Sequence, residues 1–202
     1  MKRNVAILVY EGAEVLDFSG PFEVFAVTSE LNDHALFDVA IVAGSLDPVH
    51  SVNGMLVKPN RTYADMPQPD VLVVAGGSGS RRAMHERTLL EWVRGAAESA
   101  EIVLSVCSGA RILGALGLLA DREVTTHHQV FDHLQEIEPS ARLNRNARFV
   151  DTGRIVTTGG ISAGIDGSFH VVARLLGQQI AQKSARYMEY AWVPEHNYEA
   201  AR

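Results

Sequence analysis

Short apolar runs alternate along this chain with stretches whose apolar residues recur at helical spacing. The runs at residues 5–10, 37–43, 71–75 and 102–106 are nearly continuous, which predicts strands covered on both faces. Helical patterns occupy residues 21–31, 88–100, 108–116 and 129–136, with Pro21 suited to a first helical position. A longer one runs over 163–192. A short strand is expected at 123–126, and two more at 148–150 and 155–158 flank the turn Asp151-Thr152-Gly153. Asn53-Gly54 predicts a small hairpin over 51–59. Strands alternating with helices predict an α/β fold, a mainly parallel central sheet between helical layers. No tandem repeat, low-complexity tract or linker interrupts the pattern, so residues 1–202 are expected to form one domain. The polar segment 194–202 is expected to be loose.

In an open parallel sheet, ligands bind at the carboxyl ends of the strands. Cys107, the only cysteine, stands there, where the run 102–106 ends and a helical pattern begins. A thiol on a strand-to-helix turn has the placement of a nucleophile elbow. Free N–H groups at the helix start would favour the thiolate. A buried, inert cysteine fits the same position. Asp17 follows the first strand and precedes the predicted helix, where it could serve as a cap. Gly76-Gly77-Ser78-Gly79 follows the third run and could offer backbone donors to a developing negative charge. The spacing is not that of a dinucleotide-binding loop. Thr125-Thr126-His127-His128 follows the next short strand. Adjacent histidines on an extended segment face opposite sides, and there is no second cysteine, so no metal site is expected.

Composition narrows the setting. The net charge of −6 gives no basic footprint, so nucleic acid is not an expected partner. A single cysteine forms no intramolecular disulfide, which fits a cytoplasmic location. The first apolar run is broken by Glu11-Gly12, too early for a signal peptide. No run approaches the roughly 18 to 20 apolar residues of a membrane span, so no membrane association is expected.

The motifs together resemble the ThiJ/PfpI family of the class I glutamine amidotransferase-like superfamily. They are Asp17-Phe18-Ser19-Gly20-Pro21, Ala75-Gly76-Gly77, Val106-Cys107-Ser108-Gly109-Ala110, Gly117-Leu118-Leu119, Thr125-Thr126-His127 and the segment from Gly159 to Asp166. The resemblance implies a flavodoxin-like three-layer sandwich, usually a homodimer, acting on a small molecule without a cofactor. Its isocyanide hydratase branch implies hydration of an isocyanide to an N-substituted formamide. Carried over, Cys107 would be the nucleophile and Asp17 its acid/base partner. Gly76, Gly77, Ser78 and Ser108 would bind substrate, with His127 and Ile161 as candidates for the pocket wall. Protease-like members carry histidine after the cysteine, where this chain has Ser108. Glyoxalase-type members carry glutamate in place of Asp17. Two other readings are a non-catalytic sensor domain, as in AraC-type regulators, and a redox-sensing or stress-response protein whose thiol is oxidised.

Overall fold

The computed structural model describes residues 1–194; residues 195–202, most of the segment expected to be loose, lie outside the described residues. The strands are β1 (Arg3–Leu8), β2 (Phe37–Ala43), β3 (Val49–His50), β4 (Leu56–Val57), β5 (Arg61–Thr62), β6 (Val71–Val74), β7 (Ile102–Ser105), β8 (Glu123–Val124), β9 (Arg142–Leu143), β10 (Phe149–Asp151) and β11 (Ile155–Thr158). The α-helices are α1 (Val15–Glu30), α2 (Ser80–Ala83), α3 (Arg87–Ser99), α4 (Ala110–Ala115), α5 (Phe131–Ile137), α6 (Ala163–Leu176) and α7 (Gln178–Tyr187).

Seven strands form one sheet in the order β10-β11-β7-β6-β1-β2-β5. Every pairing in it is parallel except β10 with β11. Helices cover both sides, giving the α/β sandwich that the apolar runs predict and the flavodoxin-like form that the resemblance implies. One helical group joins α1, α6 and α7; α2, α4 and α5 pack together elsewhere. Strands β6 and β7 are buried throughout, as expected of central parallel strands whose two faces both meet helices.

The register positions the site. Leu8 lies opposite Val74, Val74 opposite Ser105, and Ser105 opposite Thr157. Four adjacent strands therefore end in step, and their following loops emerge side by side on one rim. The chain crosses from β1 to β2 on one side while β6 lies on the other, so strand order reverses beside β1. A crevice at such a reversal is where open α/β sheets bind ligands.

The structure moves several predicted boundaries. Helix α1 begins at Val15, six residues before Pro21, which lies inside it and is buried. Proline costs a helix one N–H bond, but here the apolar face packed against the sheet outweighs that loss. The predicted 163–192 helix is two helices. Gly177, at φ 95°, turns the chain between α6 and α7. The hairpin pairs β3 with β4 around Asn53 and Gly54, both at positive φ. The predicted helix at 108–116 is shorter. A single 3-10 turn (Cys107–Gly109) precedes α4.

Candidate active site

Asp17 sits in the first turn of α1 and is fully buried. It caps nothing. Its Oδ2 accepts from the Gly76 N–H at 3.1 Å and its Oδ1 from the Ile161 N–H at 3.1 Å. It thus ties together the loops that follow β6 and β11. The Cys107 thiol donates to the same carboxylate. A Cβ added at Gly76 would lie 2.7 Å from Asp17 Oδ2 and 2.9 Å from Cys107 Cβ, so only glycine permits this approach.

Cys107 is 7% exposed and stands at φ 56°, a left-handed conformation uncommon for a residue with a side chain. Strain of this kind costs about 1–3 kcal/mol and persists only where the surroundings hold it. Two bonds do so: the Cys107 N–H donates to the Gly159 carbonyl at 3.0 Å, and Thr126 Oγ1 donates to the Cys107 carbonyl at 2.7 Å. Ile161, β-branched and 42% exposed, is at φ 55°. Backbone N–H groups of Ser108 and Ile161 point at the sulfur.

Burial dominates the electrostatics. It drives the Asp17 carboxyl up from 3.8 to about 7, against the bonds from Cys107, Gly76 and Ile161. Burial and the neighbouring Asp17 carboxylate push the thiol up to about 12. The expectation that the helix start would favour a free thiolate is therefore overturned. A three-residue 3-10 turn and a six-residue helix offer little dipole, and two N–H groups do not offset desolvation. The two groups titrate as a pair, and above about pH 7 one proton is left between sulfur and carboxylate.

The other predicted residues divide. Ser108 Oγ accepts from the Gly77 N–H at 2.9 Å and donates to the Gly77 carbonyl, also at 2.9 Å, tying the elbow to the glycine turn. The N–H groups of Gly76 and Gly77 are thus engaged by Asp17 and Ser108, not presented to a substrate as expected. Gly77, Ser78, Cys107, Ser108, His127 and Ile161 do line one cavity of about 280 Å³. The Asp17 carboxyl is reached only through its bonds to the elbow and the two loops. His127 lies beside the sulfur. A Cβ on Gly160 would be 2.2 Å from His127 Cδ2 and 3.3 Å from Cys107 Sγ. Burial, His128 and Arg111 lower its pKa, so the ring is neutral near pH 7. Its ring is 4.1 Å from that of His128, centroid to centroid, so the two do not face opposite sides. Strand β8 ends at Val124, and the histidines follow it in a loop. Sequence reading missed Glu14, Arg111, Gln129 and Val130 in the cavity wall. For Arg111 a signal existed: it is the one charge in the otherwise apolar helix α4.

Comparison with known proteins agrees with this fold. The chain is 34% identical over 194 residues to a curated isonitrile hydratase from Pseudomonas putida, covering 96% of this chain and 81% of that protein. It is 20% identical over 179 residues to an HTH-type transcriptional regulator from Pseudomonas aeruginosa, covering 89% of this chain but 48% of the regulator. The crystal structure of a ThiJ/PfpI family protein from Pseudomonas syringae superposes with a TM-score of 0.85 at 32% identity. It covers 98% of this chain and 78% of that one. The DJ-1/PfpI family pattern matches residues 3–174, and the chain belongs to the DJ-1/PfpI family.

Proposed function

We propose that this protein hydrates a small isocyanide to an N-substituted formamide. The observation that carries the reading is the buried thiol hydrogen-bonded to a carboxyl that has no cationic partner among the described residues, at the strand-order reversal. An isocyanide carbon needs a nucleophile and a proton, and this pair holds one of each. The sulfur bonds to the terminal carbon while its proton passes through Asp17 to that same carbon, giving a thioimidate, R–N=CH–S–Cys107. Asp17 then takes a proton from water as the water adds to that carbon. The proton reaches nitrogen, the C–S bond breaks, and R–NH–CHO leaves with the thiol restored. The reacting state is the singly protonated pair, whichever atom holds the proton. Since that form forms as the pH rises through about 7, kcat/KM should rise with it and stay level until the thiol itself titrates. The similarity to an isonitrile hydratase supports this reading.

The redox-sensing reading is less well supported by the same geometry, because oxidants attack thiolates and burial keeps this sulfur protonated. The test is formamide production from a panel of isocyanides by wild type, Cys107→Ala and Asp17→Asn. Wild type should turn over, and both variants should lose at least about a thousandfold in kcat/KM, as expected for a lost nucleophile or its proton partner. Silence of wild type across the panel sinks the reaction; turnover by Cys107→Ala sinks the mechanism.

A further inference from the structure

Beside the Cys107 sulfur, the cavity wall carries two guanidinium groups, those of Arg111 and Arg81. Arg111 is 4% exposed, an unusual burial for a permanent cation. Its hydrogen-bond partners are neutral: Nε donates to His133 Nδ1 at 2.9 Å and Nη1 to Ser80 Oγ at 2.9 Å. Among the described residues, no carboxylate lies within 4.0 Å of either arginine. Glu14, the one acid in the cavity wall, pairs with neither. Burial and the nearby Arg81 charge lower the Arg111 pKa; Cys107 and Tyr10 act the other way but do not offset them, and no carboxylate pairs with the guanidinium among the described residues. Ser80 hydrogen-bonds onward to Ser108 Oγ at 3.1 Å, which fixes Arg111 against the elbow itself. A buried cation held rigidly by neutral groups, facing a cavity, is completed by an anion from outside.

Building on the hydratase reading, we propose that the preferred substrate carries a carboxylate, seated on Arg111 with Arg81 at the mouth while its isocyanide carbon faces Cys107 Sγ. The planar guanidinium matches a carboxylate, and its Nη2 makes no hydrogen bond among the described residues. The arrangement selects by charge, since a neutral analogue would leave Arg111 uncompensated.

Two reagent pairs test this on the full chain. The first compares isocyanoacetate with its methyl ester as substrates, by formamide formed. The second compares iodoacetate with iodoacetamide as alkylators of Cys107, the only cysteine, and needs no turnover. In both, the anion-to-neutral rate ratio should fall at least about tenfold from wild type to Arg111→Met, as for loss of a charged hydrogen bond. It should fall less in Arg81→Met, and Arg111→Lys should retain most of it. Arg81 is exposed, so that variant carries the comparison if Arg111→Met does not fold. Alkylation ratios equal in wild type and both Met variants overturn the inference, whatever the hydratase assay shows. A charge preference in alkylation without hydration of either isocyanide keeps the anion site and discards the reaction.

Discussion

Two aspartates of this fold are sunk into it to similar purpose in packing terms and opposite purpose in chemistry. Asp151, at the β10 edge, meets His170 Nε2 at 2.6 Å and Arg174 Nη1 at 3.0 Å, and accepts from the Gly153 N–H. Burial alone would raise its pKa, but these partners bring it below the ordinary value. Asp17 is buried more deeply and receives two backbone N–H groups and a thiol, with no cation among the described residues. Its pKa moves the other way. A carboxylate whose charge is answered by cations stabilises the fold as an ion. A carboxylate left unanswered beside a nucleophile stores a proton near neutral pH, which is useful for proton transfer and costly for folding.

The largest way to break that contrast is Asp17→Asn. The folded value of about 7 lies above the unfolded 3.8. Asp17 therefore contributes fully below about 3.8, and its contribution is lost as pH rises through about 7. Asparagine keeps the size and one acceptor while removing the charge. Its NH2 faces one of the two backbone donors at every pH, so the linkage is read as a difference: from pH 4 to pH 8.5 the variant's stability relative to wild type should improve by roughly 2–4 kcal/mol. Urea denaturation at the two pH values measures it. A variant equally destabilised at both would mean that the ionised carboxylate is compensated after all, and the comparison with Asp151 would collapse.

Asp151→Asn probes the other half. Its folded pKa is lowered, so its stabilisation is present above about 3.8 and is lost as pH falls through the folded value. Removing the charge leaves His170 and Arg174 with one neutral amide oxygen in place of the carboxylate, and should cost about 1–2 kcal/mol at pH 7 and less below pH 4. The change should leave kcat/KM within about twofold, because the cluster lies outside the cavity wall. A stabilised Asp151→Asn would show that desolvation, and not pairing, governs this edge.

The strands and the rim were legible because apolar runs and glycine turns are local signals. Residues 71–75 and 102–106 read as central strands, and β6 and β7 occupy them. Cys107 and Asp17 could be placed on one rim because parallel strands end in step. What was not legible depends on three dimensions. The start of α1 was read from Pro21, whereas packing carries the helix back to Val15. The thiolate was inferred from a helix start, but the depth of burial that reverses it appears in no periodicity. The N–H of Ile161 reaches Asp17 across 144 positions of sequence, with no local trace. Arg111 left a trace, a charge inside an apolar helix, that only the cavity beside it explains.

His127 gives the smallest test and the finest one. It stands beside the sulfur, where a histidine would ordinarily be taken as the base, and so competes with Asp17 for that role. Its Nδ1 accepts from the Gln129 N–H at 3.3 Å, and burial holds the ring neutral. Its ring therefore fills the wall while the proton stays in the Asp17–Cys107 pair. His127→Gln should lower kcat/KM by less than about fivefold, the scale of a lost contact and not of a lost acid or base. More tellingly, the acid limb of the pH profile should stay near 7, because that limb belongs to Asp17. A limb that vanished with His127 while surviving in Asp17→Asn would transfer the proton to the histidine, and the unanswered carboxylate would be no more than a strut between two loops.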